Sequence, residues 1–166
     1  MDNLFGDYRT IIPDFKRFKD ILSRPIPTHL RINSIKADVQ EIVESLKDKP
    51  IGLGFLDKRY HNLICCRYLD SPGNLIEYFL GAIHPQAFTS CLASIALSPR
   101  MNSYVLDMCA SPGGKTAHMA ELMKNSGTIV ANELYPNRQV PLGNTLERLG
   151  ILNTVVTGYQ AQEFFP

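Results

Sequence analysis

The sequence predicts an α/β protein in which a small α+β module, residues 1–82, precedes an incomplete sheet of three parallel strands, residues 83–166. Charge density changes between the two parts: residues 1–84 carry 12 basic and 11 acidic side chains, whereas residues 85–166 carry 5 of each. In the second part, apolar strand segments alternate with helical segments, with about thirty residues per unit. This alternation favours a parallel sheet with right-handed crossovers, and the low charge indicates elements covered on both faces.

Composition excludes several classes of protein. The chain has 166 residues, a formal net charge of +1 and 45% hydrophobic residues, so it is neither disordered nor a strongly basic or acidic segment. The N-terminus has no basic region followed by an apolar stretch, so no secretory signal is predicted. Residues 78–99 form an uncharged window long enough to span a bilayer, but polar residues near its middle, including His84 and Gln86, favour a soluble protein.

The cysteines indicate the expected compartment. Cys65, Cys66, Cys91 and Cys109 form no C-x-x-C pair and have no clustered histidines beside them, so a structural zinc site is not expected. Free thiols favour a reducing location, and we expect the cytoplasm. Three of the four are expected to be small buried hydrophobic residues.

The first half is predicted to contain two helices and two short strands. A helix is expected over residues 15–22, and Asp38 with Glu41 forms the capping-box pattern that starts a second helix. Residues 30–33 alternate between apolar and polar, which is typical of a half-buried strand with Arg31 on its polar side. Another short strand is expected from Leu63 to the adjacent cysteines.

The second half is predicted in more detail. An apolar helical stripe begins at Phe88 and stops before Pro99. Strands are expected at Tyr104–Met108, Gly127–Asn132 and Val155–Thr157, with helices at Thr116–Lys124 and Asn137–Leu149, the latter ended by Gly150. Pro141 conflicts with the last helix, because a proline inside a helix costs about 3 kcal/mol. Either the helix starts near Pro141 or it is kinked there.

A glycine turn and an acidic residue form the candidate site. The segment Asp107–Thr116 leaves the first strand and enters a helix, where backbone amides and the positive helix end face the mouth of the sheet. Gly113 and Gly114 lack a Cβ, so a ligand can approach the backbone closely. Glu133, 20 residues after Gly113, ends the second strand, where an acid can bind both hydroxyls of a ribose.

Two ligands are candidates for binding at this turn. Residues 114–116, Gly-Lys-Thr, match the end of a phosphate-binding P-loop, but the first glycine of that motif would be at position 109, which is Cys109. The other candidate is S-adenosylmethionine, with its carboxylate on the loop amides, its ribose on Glu133 and its adenine on Leu134. A turn that binds nothing is the third interpretation.

These residues also resemble a known family. VLDMCASPGGKTAHMAELM, followed by GTIVANE, Arg138 and ERLGILN, resembles the RNA (cytosine-5-)-methyltransferases of the RsmB/NOL1/Sun family. Upstream, residues 84–97 are similar to the family's lead-in helix, and PTHLRIN, residues 27–33, to its P-T-x-x-R-x-N segment. The resemblance covers most of residues 25–165. It implies a Rossmann-like domain that binds S-adenosylmethionine and methylates cytosine in ribosomal or transfer RNA.

The resemblance also implies which residues bind the cofactor. The loop around the methionine moiety would be Cys109, Ala110, Ser111, Pro112, Gly113, Gly114 and Lys115. Glu133 would hold the ribose, and Arg138 stands where the family has a basic residue near the cofactor. Gln160 stands where many members have an Asp facing the adenine; its carbonyl can still accept a hydrogen bond, but without the charge.

The sequence departs from the family at the catalytic step. In the family a cysteine thiolate attacks C6 of cytosine, and this cysteine and its helper follow motifs resembling D-A-P-C and T-C-S, neither of which occurs before Pro166. Cys109 belongs to the cofactor loop and is not expected to be the nucleophile. We therefore expect no methyl transfer by this chain alone, and poor stability or self-association through an open sheet edge at Val105 and Leu106.

A non-catalytic RNA-binding or interaction module is the alternative function. Its basic residues would be Arg9, Lys16, Arg17, Lys19, Arg24, Arg31 and Lys36. Four aspartates, at positions 7, 14, 20 and 38, are interleaved with them, which favours an ordinary solvated face.

Overall fold

The computed structural model describes residues 5–164, which form an antiparallel four-stranded sheet followed by a parallel three-stranded sheet. The strands are β1 Thr28–Ile32, β2 Leu53–Phe55, β3 Leu63–Cys66, β4 Ile83–Pro85, β5 Tyr104–Asp107, β6 Thr128–Asn132 and β7 Thr154–Thr157. The α-helices are α1 Phe15–Leu22, α2 Val39–Lys47, α3 Ile76–Phe79, α4 Phe88–Leu97, α5 Gly114–Leu122 and α6 Pro136–Leu149. Short 3-10 segments occur at Gly6–Thr10, Pro72–Asn74 and Ala161–Phe164.

The N-terminal sheet has the order β2-β3-β1-β4, and its neighbouring strands are antiparallel. The predicted cap on α2 is confirmed, because the Asp38 carboxylate accepts hydrogen bonds from the amides of Gln40 and Glu41. The apolar face of α2 covers one side of the sheet, so that Leu46 and Ile32 share a core. This sheet includes β4 and therefore extends to Pro85, while the predicted boundary at residue 82 stays a prediction.

Arg31 is the clearest disagreement with the sequence analysis. We expected it on the polar side of a half-buried strand, but the side chain is fully buried. Leu30 and Ile32 face α2, and Arg31 points to the opposite face, where it forms an ion pair with Glu121 of α5. Apolar and polar side chains of β1 do alternate between the two faces of the sheet, but α5 covers the polar face and buries Arg31.

The C-terminal sheet has the order β5-β6-β7 with all neighbours parallel, as predicted. Helices α5 and α6 cover one face, where Ala131 packs with Leu142 and Leu146, and Ile129 packs with Met119. Parallel strands end at the same edge, so the loops after β5 and β6 meet there.

The other face of this sheet and one edge are open within residues 5–164. β5 pairs with β6 and with no other described strand. Tyr104, Leu106 and Val155 lie on the face opposite α5 and α6, and their side chains are exposed. An apolar face and an unpaired edge are features that associate with other chains or segments.

Two further details differ from expectation. Residues 53–55 form the short strand β2 on β3, a strand that was not among those predicted for the first half. Helix α6 begins at Pro136 and continues through Pro141, so the proline does not start it. Gly150 ends α6 in the left-handed conformation, with φ of 72°, as predicted.

None of the helices between residues 5 and 164 combines the length and apolar character needed to cross a bilayer.

Candidate cofactor site

The glycine turn lies at the carboxyl end of β5 and is held by hydrogen bonds at both ends. The amide of Ala110 donates to the Asn132 carbonyl at 2.8 Å, and the amide of Gly113 donates to the Ala110 carbonyl at 2.7 Å. The hydroxyl of Thr116, in the first turn of α5, donates to the Asp107 carboxylate at 2.6 Å. These bonds fix the loop between the end of the strand and the start of the helix.

The two glycines of the turn have different roles. Gly113 is buried with φ of 102°, and a Cβ there would come within 3.1 Å of Leu142 on α6. Its missing side chain therefore allows α6 to pack closely, which differs from the expected role in ligand approach. Gly114 faces the opening, where a Cβ would lie 3.2 Å from Nε2 of His84. Only Gly114 keeps a ligand cavity open by lacking a side chain.

Glu133 lies at the carboxyl end of β6, beside the glycine turn, and is 4% exposed. The amide of Tyr135 donates to Oε1 at 3.2 Å, and Nε of Arg138 lies 3.5 Å from Oε2. A carboxylate has about four acceptor positions, so both oxygens retain capacity for further donors. Arg138 is also tied to the loop, because the Ser111 hydroxyl donates to its carbonyl at 2.8 Å.

Asn132 is a site residue that the sequence analysis did not identify. Its amide nitrogen donates to the carbonyls of Met108 and Tyr159, at 3.2 and 2.8 Å. Its amide oxygen accepts from the Thr157 hydroxyl and the Tyr159 amide, at 3.0 and 2.9 Å. This side chain therefore joins the ends of all three strands. The only sequence signal is a polar residue at the end of an apolar strand.

The first of two cavities at this edge, here the Glu133 cavity, has a volume of about 300 Å³. It is lined by Met108, Cys109, Asn132, Glu133, Leu134, Tyr135, Arg138, Tyr159, Gln160, Ala161 and Gln162. Gln160 lies in it as expected, but its carbonyl already accepts a hydrogen bond from Gln162 at 2.7 Å. The second lone pair of this oxygen remains available to a ligand amino group.

The second cavity, here the His84 cavity, lies on the other side of the loop and has a volume of about 200 Å³. It is lined by His84, Pro85, Gln86, Ala87, Ser90, Asp107, Cys109, Ala110, Ser111, Pro112, Gly114 and Lys115. Cys109, which is exposed, borders both cavities. The predicted residues thus fall into two groups that meet at Cys109, while Gly113 lines neither cavity.

His84 is held uncharged. Burial, together with the charges of Arg31 and Arg148, lowers the pKa of His84 to about 3. Nη2 of Arg148 lies 2.9 Å from Nδ1 of His84, while Nη1 donates to the carbonyls of Tyr78 and Ile83. His84 and Arg31 face each other on β4 and β1, so the N-terminal sheet forms one wall of the His84 cavity.

The basic residues of the alternative function are not a continuous free surface. Arg31 is buried against Glu121, and Arg24 is paired with Asp20. The amide of Arg17 donates to the Asp14 carboxylate at the start of α1, and Asp38 caps α2, so two of the interleaved aspartates have a structural role. The interpretation as an ordinary solvated face therefore applies to the exposed members, and Arg31 does not belong to the set.

A parallel sheet with a glycine turn after its first strand and an acid after its second defines a Rossmann-like domain of the nucleoside-cofactor-binding class.

Residues 5–164 contain no group of three or more His, Cys, Asp or Glu side chains placed to hold a metal ion.

Comparisons with known proteins show which family the chain resembles. Residues 94–165 match the family model of the 16S rRNA methyltransferases RsmB/F. The chain is 32% identical over 166 residues to the human 28S rRNA (cytosine(4447)-C(5))-methyltransferase, covering 98% of this chain and 20% of that protein. It is 37% identical over 154 residues to the Pyrococcus abyssi tRNA (cytosine(49)-C(5))-methyltransferase, covering 88% of this chain and 47% of that protein.

A solved structure agrees with this relationship. The crystal structure of a methyltransferase homologue from Pyrococcus horikoshii matches with a TM-score of 0.81 and 30% identity, covering 92% of this chain and 50% of that one. The chain is thus similar to the RsmB/F-type RNA cytosine-5 methyltransferases, and the family resemblance predicted from its motifs is confirmed. It spans between a fifth and a half of the length of the relatives described above.

Proposed function

We propose that this chain is the cofactor-binding part of an S-adenosylmethionine-dependent methyltransferase that acts on cytosine C5 in ribosomal or transfer RNA. The observation that carries the proposal is the buried Glu133 carboxylate beside the glycine turn, within the segment that matches the family model. The two cavities on either side of Cys109 support it, because a cofactor with a nucleoside and an amino-acid end needs two adjoining spaces.

The nucleoside fits the Glu133 cavity. Glu133 would accept hydrogen bonds from both ribose hydroxyls, because its two oxygens retain acceptor positions. The half-exposed side chain of Leu134 offers an apolar surface for the adenine, and Gln160 lies in the same cavity. The sulfonium and the amino-acid end would then pass Cys109 toward the His84 cavity.

Methyl transfer requires groups beyond those of the cofactor site. The family's cysteine motifs do not occur in these 166 residues, so we propose that residues outside this sequence supply the nucleophile and its helper. Cys109 remains assigned to the cofactor loop.

RNA as the partner is proposed from the relatives, which are named for rRNA and tRNA. The cytoplasmic location expected from the free cysteines stays a prediction.

Calorimetric titration with S-adenosylhomocysteine tests the proposal, with Mg²⁺-ATP as the competing ligand. We expect saturable binding of S-adenosylhomocysteine and no heat from ATP. Glu133→Gln should weaken the affinity about tenfold or more, since a hydrogen bond to a charged group contributes about 1.5–3 kcal/mol. The matched variant is Glu147→Gln, an exposed position on α6 outside both cavities.

Two outcomes would contradict the proposal. A folded protein that gives no heat with millimolar S-adenosylhomocysteine would refute cofactor binding. Binding of Mg²⁺-ATP instead would favour the P-loop interpretation of residues 114–116.

A further inference from the structure

The His84 cavity is lined by polar residues of the N-terminal sheet as well as by the cofactor loop. It is bounded on one side by the start of α5 and on the other by β4 and the residues that follow it. None of the amides of residues 114–116 has a backbone acceptor among the described residues, as expected for the first turn of a helix. His84 and Gln86 face this turn: a Cβ on Gly114 would lie 3.2 Å from Nε2 of His84 and 3.7 Å from Cδ of Gln86.

Arg148 determines which nitrogen of His84 carries the proton. A guanidinium can only donate hydrogen bonds, so Nδ1 of His84, 2.9 Å from Nη2 of Arg148, must be the acceptor. The proton of the neutral ring is then on Nε2. That atom borders the cavity and has no hydrogen-bond partner within residues 5–164. His84 is thus a neutral donor of fixed orientation.

Arg31 fixes Gln86 in the same way. Nε of Arg31 donates to Oε1 of Gln86 at 3.0 Å, which leaves the Gln86 amide nitrogen with two protons to donate. Gln86 is 8% exposed, and its Nε2 is buried with no partner in the part of the chain that the structure describes. A buried donor without a partner requires an explanation, and a ligand in the adjoining cavity supplies one.

The charge pattern around these donors matches an amino acid. The helix end and the two neutral donors favour an anion, while the Asp107 carboxylate, which borders the same cavity, favours an ammonium group. Lys115 is exposed at the rim and adds a positive charge. A carboxylate and an ammonium on one carbon would satisfy both sets of groups.

We propose that His84 and Gln86 bind the α-carboxylate of the methionine end of the cofactor, and that the N-terminal sheet thereby contributes directly to cofactor recognition. This inference rests on the proposed function, since it assigns one end of the same ligand. Arg148 and Arg31 are positioning residues in this arrangement, because they orient the two donors and do not touch the ligand.

A pair of ligands separates this inference from the proposed function. S-adenosylhomocysteine has the amino-acid end, whereas 5′-deoxy-5′-methylthioadenosine has the same nucleoside and sulfur without it. Both are titrated by calorimetry into the wild-type chain, His84→Phe, Gln86→Glu and the matched variant His61→Phe, which alters an exposed histidine outside both cavities. Gln86→Glu keeps the acceptor for Arg31 and replaces the amide donor by a negatively charged oxygen, which would repel a carboxylate in the cavity.

We expect His84→Phe and Gln86→Glu to weaken S-adenosylhomocysteine binding about tenfold or more, and to change methylthioadenosine binding less than about twofold. His61→Phe should change neither. Equal weakening of both ligands would show that His84 and Gln86 only support the loop, and unchanged affinities would show that they make no contact; either result overturns the inference. A wild-type chain that binds neither ligand refutes the proposed function itself.

Nitrogen-15 spectra of the His84 ring give a readout that needs no variant. The wild-type chain should show a neutral ring with the proton on Nε2, and this signal should shift with S-adenosylhomocysteine but not with methylthioadenosine. A ring protonated on Nδ1, or a signal that shifts equally with both ligands, would contradict the assignment.

Discussion

One buried and one partly buried histidine lie near arginines, and this placement has a measurable consequence. His118 on α5 is 2% exposed, and its Nδ1 has no partner among the described residues. Burial, together with the charge of Arg31, lowers the pKa of His118 to about 3, as burial and two arginines do for His84. In the unfolded chain both imidazoles should have the ordinary pKa of about 6.5.

Stability should therefore fall as the pH is lowered from about 6.5 toward 3, because the unfolded chain binds protons that the folded chain does not. Between pH 7.5 and 5.0 each histidine should reduce the free energy of unfolding by about 2 kcal/mol. Urea denaturation at the two pH values measures this loss. In His118→Gln the loss of unfolding free energy between the two pH values should be smaller by about 2 kcal/mol. In the exposed-site variant His61→Gln the loss should equal that of the wild type. The same loss in the wild type and both variants would contradict the account.

The positions of some site residues could be predicted from the sequence, and the contacts of others could not. The location of Glu133 was predictable, because its position after a strand and its distance from the glycine turn are both visible in the sequence; its role as a ribose ligand stays a prediction. Arg31 and Asn132 were not, because their roles depend on what lies opposite: Glu121 is 90 positions from Arg31, and Asn132 bridges loops that follow three different strands. A polar residue beside an apolar strand residue does not indicate whether its side of the strand meets solvent or another element.

At the scale of elements, the ion pair between Arg31 and Glu121 joins β1 to α5. Both side chains are buried, and Glu121 also accepts a hydrogen bond from the Ser34 hydroxyl at 2.8 Å. The pair fixes the N-terminal sheet against the helix whose first turn borders the His84 cavity. Removing one partner from a buried pair leaves an uncompensated charge, which costs about 3–5 kcal/mol.

We expect Arg31→Met to lower the free energy of unfolding by about that amount, and the double variant Arg31→Met with Glu121→Met to recover part of the loss. Urea denaturation provides the measurement. The matched control is Arg24→Met, which breaks the exposed pair with Asp20 and should cost less than about 1 kcal/mol. A similar small cost for Arg31→Met would show that the pair does not hold the two parts together.

The elements themselves were mostly predictable, and the exceptions have physical reasons. Strands β5, β6 and β7 are apolar runs ended by turn residues, so their bounds were close to those observed. β2 and β4 are three residues long, and the hydrogen bonds of neighbouring strands define them more than their own composition does. Helix α6 continues through Pro141 because its apolar side chains Leu142, Leu146 and Leu149 pack on the sheet, which offsets the missing hydrogen bond.

At the scale of the whole molecule, the open edge of β5 and the exposed face at Tyr104, Leu106 and Val155 predict association. We propose that this surface pairs with the remaining half of the same domain or, in the isolated chain, with a second copy. Sedimentation velocity should show self-association of the 166-residue chain that Leu106→Lys reduces and the exposed-site variant Leu152→Lys does not. A tight monomer with a cooperative melting transition would contradict this expectation.

The central claim is that one cofactor lies across the loop after β5, with its nucleoside at Glu133 and its amino-acid end at His84. Amide chemical-shift mapping of the labelled chain during titration with S-adenosylhomocysteine tests it most directly. The account predicts the largest shifts in residues 84–86, 108–115, 132–135 and 159–162, with little change in β2 and β3. Shifts centred on the N-terminal sheet away from His84, or binding that leaves the glycine turn and Glu133 unaffected, would contradict it.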